Sequence, residues 1–233
     1  MLSWLKSETN FSSFPGFSCR GLLFFKRLFS FLFPTFCSVC GRRILGSEGI
    51  CEKCARSVDG PIIVRDAPSH SAHLDMVHHF WWYEGVVERV IKLYKYSDRV
   101  KLRHVLASWI FKTLTYFNLL NLPITWVPSN YSALKTRGFE TMKEVAYELR
   151  KMGLEVYEFL DCVGNVPPQV GLSFRERMSK VKGKYRVLKP PPPKIVIIDD
   201  VYTTGATLNE CARVMKSAGA KHVVGITVAR VKM

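Results

Sequence analysis

The densest chemistry in the chain lies near its end. An apolar run, Lys194-Ile-Val-Ile-Ile, leads into two adjacent carboxylates, Asp199 and Asp200. After Val201 and Tyr202 come Thr203, Thr204, Gly205, Ala206 and Thr207, and a helical pattern opens. Small residues let backbone N–H groups approach a phosphate closely. Threonine hydroxyls add donors, and a helix N-terminus adds partial positive charge. A bare phosphate has no use for two carboxylates. A ribose phosphate does, because carboxylates accept hydrogen bonds from its 2- and 3-hydroxyls while the loop holds its 5-phosphate. The glycine spacing fits neither a Walker A loop nor a G-x-G-x-x-G turn. Thr207 and Glu210 also have the spacing of a capping box, a role compatible with the first.

A second constellation is made of cysteines. Cys37-x2-Cys40 and Cys51-x2-Cys54 are two C-x-x-C pairs close together in the chain. Each pair can sit on a knuckle turn, so that four thiolates face one ion in the tetrahedral S4 set that suits Zn²⁺. An iron–sulfur cluster and buried thiols without metal are the alternatives. Four protein ligands leave no open position for a substrate, so the expected role of the zinc is structural. Arg42, Arg43, Lys53 and Arg56 lie beside the ligands and suit a second role in contacting nucleic acid. Cys162 and Cys211 read as free thiols.

Basic side chains form a third feature. Arg175, Arg177, Lys180, Lys182, Lys184, Arg186 and Lys189 stand against a single acid, Glu176. Such a segment suits a hood closing over pyrophosphate, a strip for single-stranded DNA, or a solvated loop. Lys135 and Arg137 follow a strand end on the expected binding edge. His70, His73, His78 and His79 lie near the apolar strand Phe80-Trp-Trp-Tyr83, which points to packing rather than to a metal. Trp81, Trp82 and Trp109 are expected in the core.

These groups need a scaffold, and the rest of the sequence supplies one. The chain has 233 residues, of which 48% are hydrophobic, enough for a sizeable core. Its charge is +15, from 34 Lys+Arg and 19 Asp+Glu. That surplus favours a polyanionic partner: nucleic acid, an anionic lipid surface or a phosphate-rich small molecule. No stretch reaches the ~18 uncharged apolar residues of a membrane span. The odd cysteine count and the absence of a recognisable signal peptide predict a reducing cytoplasm. Apolar spacing predicts a strand over 77–83, helices over 86–96 and 101–117, and a strand over 124–128. Phe139, Met142, Val145, Ala146 and Leu149 mark a helix face that Gly153 stops. Strands over 194–199 and 223–228 flank a helix over 207–218, and Pro190 to Pro193 form a stiff connector. Alternating strands and helices argue an α/β fold with a parallel sheet. Three regions follow: a Phe-rich basic segment (1–36), a four-cysteine zinc ribbon (37–60) and the α/β domain (61–233). Nine of the 15 phenylalanines fall in the first region, where residues 20–33 read as a short amphipathic helix for a membrane surface, a partner or the chain's own core.

Residues 196–207 resemble the signature of the type I phosphoribosyltransferases, which bind 5-phosphoribosyl 1-pyrophosphate (PRPP). The resemblance implies that Asp199 and Asp200 contact the ribose hydroxyls, and that Thr203, Thr204, Gly205, Ala206 and Thr207 hold the 5-phosphate. A four-cysteine module followed by such a domain is similar to the ComF family. Ile91-Lys-Leu-Tyr-Lys95-Tyr resembles that family's lysine-bearing helix. Val127-Pro128 leading to Lys135-Thr-Arg137-Gly138-Phe139 resembles its V-P…R-G-F segment. Gln169 and Leu172-Ser-x-Arg175-Glu-Arg177 resemble its Q-x-x-L-S-x-x-x-R segment. Two departures stand out: Ser129-Asn130 replaces the usual second V-P, and Glu140-Thr141 replaces Asn-Gln. Both lie where pyrophosphate or base contacts are expected. The resemblance implies a phosphoribosyltransferase-type parallel sheet flanked by helices, a structural Zn²⁺, and PRPP bound with Mg²⁺. Lys135, Arg137, Arg175 and Arg177 become pyrophosphate or substrate contacts. It leaves two readings: transfer of a phosphoribosyl group to a nitrogen acceptor, or a non-enzymatic factor for single-stranded DNA in natural competence. The second carries an expected contact with competence machinery at the inner membrane face.

Overall fold

The computed structural model describes residues 35–44, 49–63, 73–97, 99–163 and 181–232. The amphipathic helix expected over 20–33, His70, Gln169, Arg175, Arg177 and Lys180 lie outside them.

Four parallel strands form the central sheet, in the order β3-β8-β7-β4: β3 (Met76–Trp82), β8 (His222–Arg230), β7 (Lys194–Tyr202) and β4 (Ile124–Trp126). The α/β fold with a parallel sheet flanked by helices is therefore present. Alternation along β7 explains its two-sided burial. Ile195 and Ile197 enter one core, Val196 and Ile198 the other, and all four are fully buried. One face is covered by α2 (Gly85–Tyr96), α3 (Arg103–Tyr116) and α5 (Thr141–Lys151). The other carries α6 (Ala206–Ser217) and a small antiparallel ribbon of β5 (Leu160–Cys162) and β6 (Tyr185–Val187).

The helices match their apolar spacing with one rotation of phase. In α2 the buried set is Val87, Val90, Ile91 and Tyr94, whereas Val86 and Leu93 sit at its half-buried margin. Trp109 is buried as expected, but Trp81 and Trp82 are half-buried; Lys232 Nζ lies 5.5 Å from the Trp82 ring. Several short elements escaped the sequence reading. The helix α4 (Tyr131–Arg137) buries no residue, so it has no apolar stripe to betray it. The β5–β6 ribbon pairs strands of three residues each, too short for a period to show.

The strand expected to end at Asp199 runs on to Tyr202, because β8 continues beside it to Arg230. Both carboxylates are thus fixed by a ladder rather than by a loop. All strands being parallel, the carboxyl ends of β4, β7 and β8 share one edge, where ligands bind in open α/β sheets.

The cysteine module comprises β1 (Thr35–Phe36), β2 (Arg43–Ile44) and α1 (Glu52–Arg56). Cys37, Val39, Ile50, Cys51, Cys54 and Val58 join the hydrophobic cluster that contains Phe80, Leu102, Leu106 and Trp109. A Cβ placed on Gly49 would come within 2.9 Å of Leu102 Cδ2. The module therefore shares a core with the helical face of the sheet.

Candidate functional site

At the cysteine cluster, β1 and β2 bring the first knuckle together. Gly41 turns it with φ 72°, and its N–H donates to the Cys37 carbonyl at 2.9 Å. The second knuckle runs into α1, where Cys51 caps the helix and its sulfur accepts from the Cys54 N–H at 3.5 Å. Cys37 Sγ accepts from the Cys51 N–H at 3.2 Å. The sulfurs of Cys40 and Cys51 are 3.6 Å apart, and all four lie within 4.8 Å of one another. A tetrahedron with Zn–S bonds of ~2.3 Å has S···S edges of about 3.8 Å, so the donor set fits a zinc ion. Burial raises the Cys37 thiol, but backbone N–H groups outweigh it and bring its pKa down to about 6. Donation from the Cys54 N–H likewise lowers Cys51, whereas burial and the neighbouring sulfurs push Cys54 up. Among the described residues no other group of three or more His, Cys, Asp or Glu has metal-site spacing.

At the carboxyl edge, Asp199 and Asp200 occupy different settings. Asp200 Oδ2 is paired with Lys95 Nζ at 2.6 Å, and the two side chains are only 15% and 17% exposed. Lys95 sits in the last turn of α2, so the lysine-bearing helix is folded back onto the acidic pair. Burial works against the lysine's charge, but Asp200 and then Asp199 outweigh it, and its pKa is raised. Asp199 accepts from the Asp200 N–H at 2.9 Å. Burial, and next the charge of Asp200, push its pKa up to about 8, against the pull of that N–H and of Lys95. That shift favours the protonated form of Asp199 around neutral pH.

The loop then rises off the strand. Gly205 takes the left-handed conformation, φ 72°, and serves as N-cap of α6. Thr204 Oγ1 faces the Ala206 N–H at 3.4 Å. Asp199, Val201, Tyr202, Thr203, Gly205, Ala206, Thr207 and Leu208 line one open cleft of about 200 Å³. Five of the seven residues expected to bind the ribose phosphate thus face one space; of the other two, Thr204 lies within the same turn and Asp200 adjoins the cleft through its backbone bond to Asp199. The capping box is not formed. Thr207 is the second residue of α6 rather than its cap, and Glu210 accepts from the Gly183 N–H at 2.7 Å and pairs with Arg213.

The other expected contacts divide. Arg137, at the end of α4, lies 5.5 Å from the Tyr96 ring and opposes the charge of Lys95. Lys135 is exposed on the same helix. Of the remaining basic run, Arg186 is paired with Asp161 at 2.8 Å, and Lys189 lies 4.8 Å from the Phe159 ring. The departures in the V-P…R-G-F segment are structural in part. Glu140 accepts from the Trp126 indole at 3.0 Å and from the Ser129 N–H at 3.2 Å, clamping the turn after β4, while Asn130 caps α4. His78 stacks on Phe117 at 3.7 Å and His79 is buried against Thr227, so these two pack as expected. Lys95 was visible in the sequence only as part of a resembling segment; its contact with Asp200 has no local signal.

No protein-family profile matches the chain. Over 159 residues it is 25% identical to the competence protein ComFC of Streptococcus pneumoniae (strain ATCC BAA-255 / R6), covering 64% of this chain and 65% of that protein. The chain is similar to ComFC. The match spans less than two thirds of the relative's length. Among solved structures, the chain is similar to a hypoxanthine phosphoribosyltransferase from Staphylococcus aureus, with 13% identity, a TM-score of 0.30, and 54% and 61% of the two chains covered. A purine phosphoribosyltransferase from Pyrococcus horikoshii Ot3 matches at 14% identity and a TM-score of 0.28, covering 65% of this chain and 87% of that one. The chain's own sheet and loop carry its fold assignment. Among the described residues no helix is long and apolar enough to cross a membrane.

Proposed function

We propose that this ComFC-like chain binds PRPP, or another ribose phosphate, at residues 199–207. The observation that carries the reading is the placement of Asp199, Asp200 and the Gly205 turn at the carboxyl end of a central parallel strand, with Lys95 on Asp200. The 5-phosphate sits against the N–H groups and hydroxyls of Thr203 to Thr207, at the start of α6. The ribose hydroxyls donate to the carboxylates, and Asp199 gives up its proton to accept them. Arg137 and Lys135 stand at the edge where pyrophosphate leaves. Mg²⁺ bound to the pyrophosphate would offset its charge. The reaction that fits is displacement of pyrophosphate from C1 by a nitrogen nucleophile. The four cysteines hold a structural zinc.

A second reading, a factor that handles single-stranded DNA without chemistry, draws on the charge of +15 and on the relative's name. Calorimetric titration with PRPP and Mg²⁺, beside titration with a short single-stranded oligonucleotide, separates the two. Saturable PRPP binding supports the first. DNA binding with a steep salt dependence and no response to PRPP supports the second and overturns the first.

A further inference from the structure

Behind the loop lies a buried polar assembly that the ribose-phosphate reading does not use. Tyr202 ends β7, and its ring is lodged under the turn: a Cβ on Gly205 would lie 2.6 Å from Tyr202 Cζ. On the neighbouring strand, in register with Tyr202, is Arg230. Its guanidinium is buried, with Cζ 5.4 Å from the centre of the Tyr202 ring. The Val231 N–H donates to the Tyr202 carbonyl at 3.0 Å and locks the two strand ends together.

The arginine is oriented by a chain of hydrogen bonds across the sheet. Thr227 donates its hydroxyl proton to the Ala229 carbonyl at 3.1 Å. It therefore accepts from His79 Nδ1 at 2.7 Å, and His79 Nε2 accepts from Arg230 Nη1 at 3.3 Å. Burial and the charge of Arg230 push the His79 pKa down to about 3, so the assembly carries one positive charge and not two. The His79 ring lies 4.9 Å from that of Tyr202, tilted by 53°. Burying a guanidinium is costly, and apolar packing of a strand end does not require one. Held on the face of a tyrosine whose hydroxyl end touches the glycine turn, it stiffens that turn and backs it with positive charge.

We propose that Tyr202 and Arg230 are positioning residues that hold the Gly205 turn in its phosphate-binding form. The proposal rests on the ribose-phosphate reading of residues 199–207. Arg230 is not part of the cleft lining and Tyr202 borders it; the role assigned to both is exerted through the backbone of the loop, under which the Tyr202 ring is lodged.

The test uses the full chain and two probes, ribose 5-phosphate and magnesium pyrophosphate. Tyr202→Leu and Arg230→Met each raise the dissociation constant of ribose 5-phosphate about tenfold or more, and leave that of magnesium pyrophosphate within about twofold. Arg230→Lys and Tyr202→Phe, which keep a cation or a ring, restore most of the affinity. Equal losses for both probes mean general damage and overturn the proposal. Hydrogen exchange in the ligand-free protein supplies an independent arm: Tyr202→Leu speeds exchange at the amides of 203–207 and spares β3. If the wild-type chain binds neither probe, the functional reading fails, and the exchange arm alone decides the positioning role. Unchanged exchange at 203–207 then overturns it.

Discussion

The cysteine cluster and the acidic loop are both charge-holding sites, and they are assembled in opposite ways. Each knuckle of the cluster is closed by bonds within a short stretch of chain, and the donors converge from residues 37 to 54. The loop takes its carboxylates and its turn from 199 to 207, but its cation, Lys95, comes from another helix, and Arg230 from another strand. A metal site can be specified by spacing alone. A sugar-phosphate site needs the sheet to deliver its electrostatics.

The largest expected effect sharpens that contrast. Purified protein should carry about one zinc per chain, and structural zinc contributes on the order of 10 kcal/mol in small metal domains. Because Cys37, Cys51 and Cys54 share a core with Leu102 and Trp109, Cys54→Ser or chelation should lower the melting temperature of the whole protein in one transition. Metal content by mass spectrometry and melting curves check this. Two separated transitions would show that the module folds apart.

Next in size is Gly205→Val. The left-handed φ is closed to a β-branched side chain, and the ring of Tyr202 occupies the space, so ribose-phosphate affinity falls by ~3 kcal/mol or more. Asp200→Ala follows, weakening PRPP by ~1.5–3 kcal/mol, the range for hydrogen bonds to a charged partner. It also strands Lys95, so Asp200→Ala and Lys95→Met are coupled in a double-mutant cycle on stability.

The two carboxylates can be told apart by pH. The folded pKa of Asp199 lies near 8 and its unfolded value near 3.8. Between those values the folded state holds a proton that the unfolded chain releases. Stability from this group is therefore full below about pH 4, falls as pH rises, and is lost above about 8, with a slope of at most ~1.4 kcal/mol per pH unit. Asp199→Asn should flatten that slope in denaturant titrations from pH 5 to 9. An unchanged slope would show that Asp199 ionises normally.

Thr204→Val is the smallest change, about 0.5–1.5 kcal/mol in PRPP affinity, because backbone N–H groups still hold the phosphate. A loss as large as that from Gly205→Val would make this a side-chain site.

Legibility followed the same division. The apolar runs of β7 and β8 and the faces of α3 and α5 were readable, because burial on one or two sides leaves a period in the sequence. So were the Cys pairs and the Asp-Asp…Thr-Thr-Gly motif. The last three residues of β7 were not, since Val201 and Tyr202 continue a strand only because β8 is beside them. The helix α4 was missed because Tyr131 and Leu134 are exposed and nothing on it is buried. Lys95 on Asp200, Glu140 on Trp126 and Arg230 over Tyr202 join residues far apart in the chain, and no periodicity encodes such meetings.

The central claim is that Asp200 and the Gly205 turn hold a ribose phosphate. Its most direct test is the calorimetric affinity of ribose 5-phosphate, with Mg²⁺ present, for wild-type protein and Asp200→Ala side by side. The account predicts saturable binding at or below millimolar ligand, weakened about tenfold or more by the substitution. Absence of wild-type binding at millimolar ligand, or equal affinity in the two proteins, would contradict it.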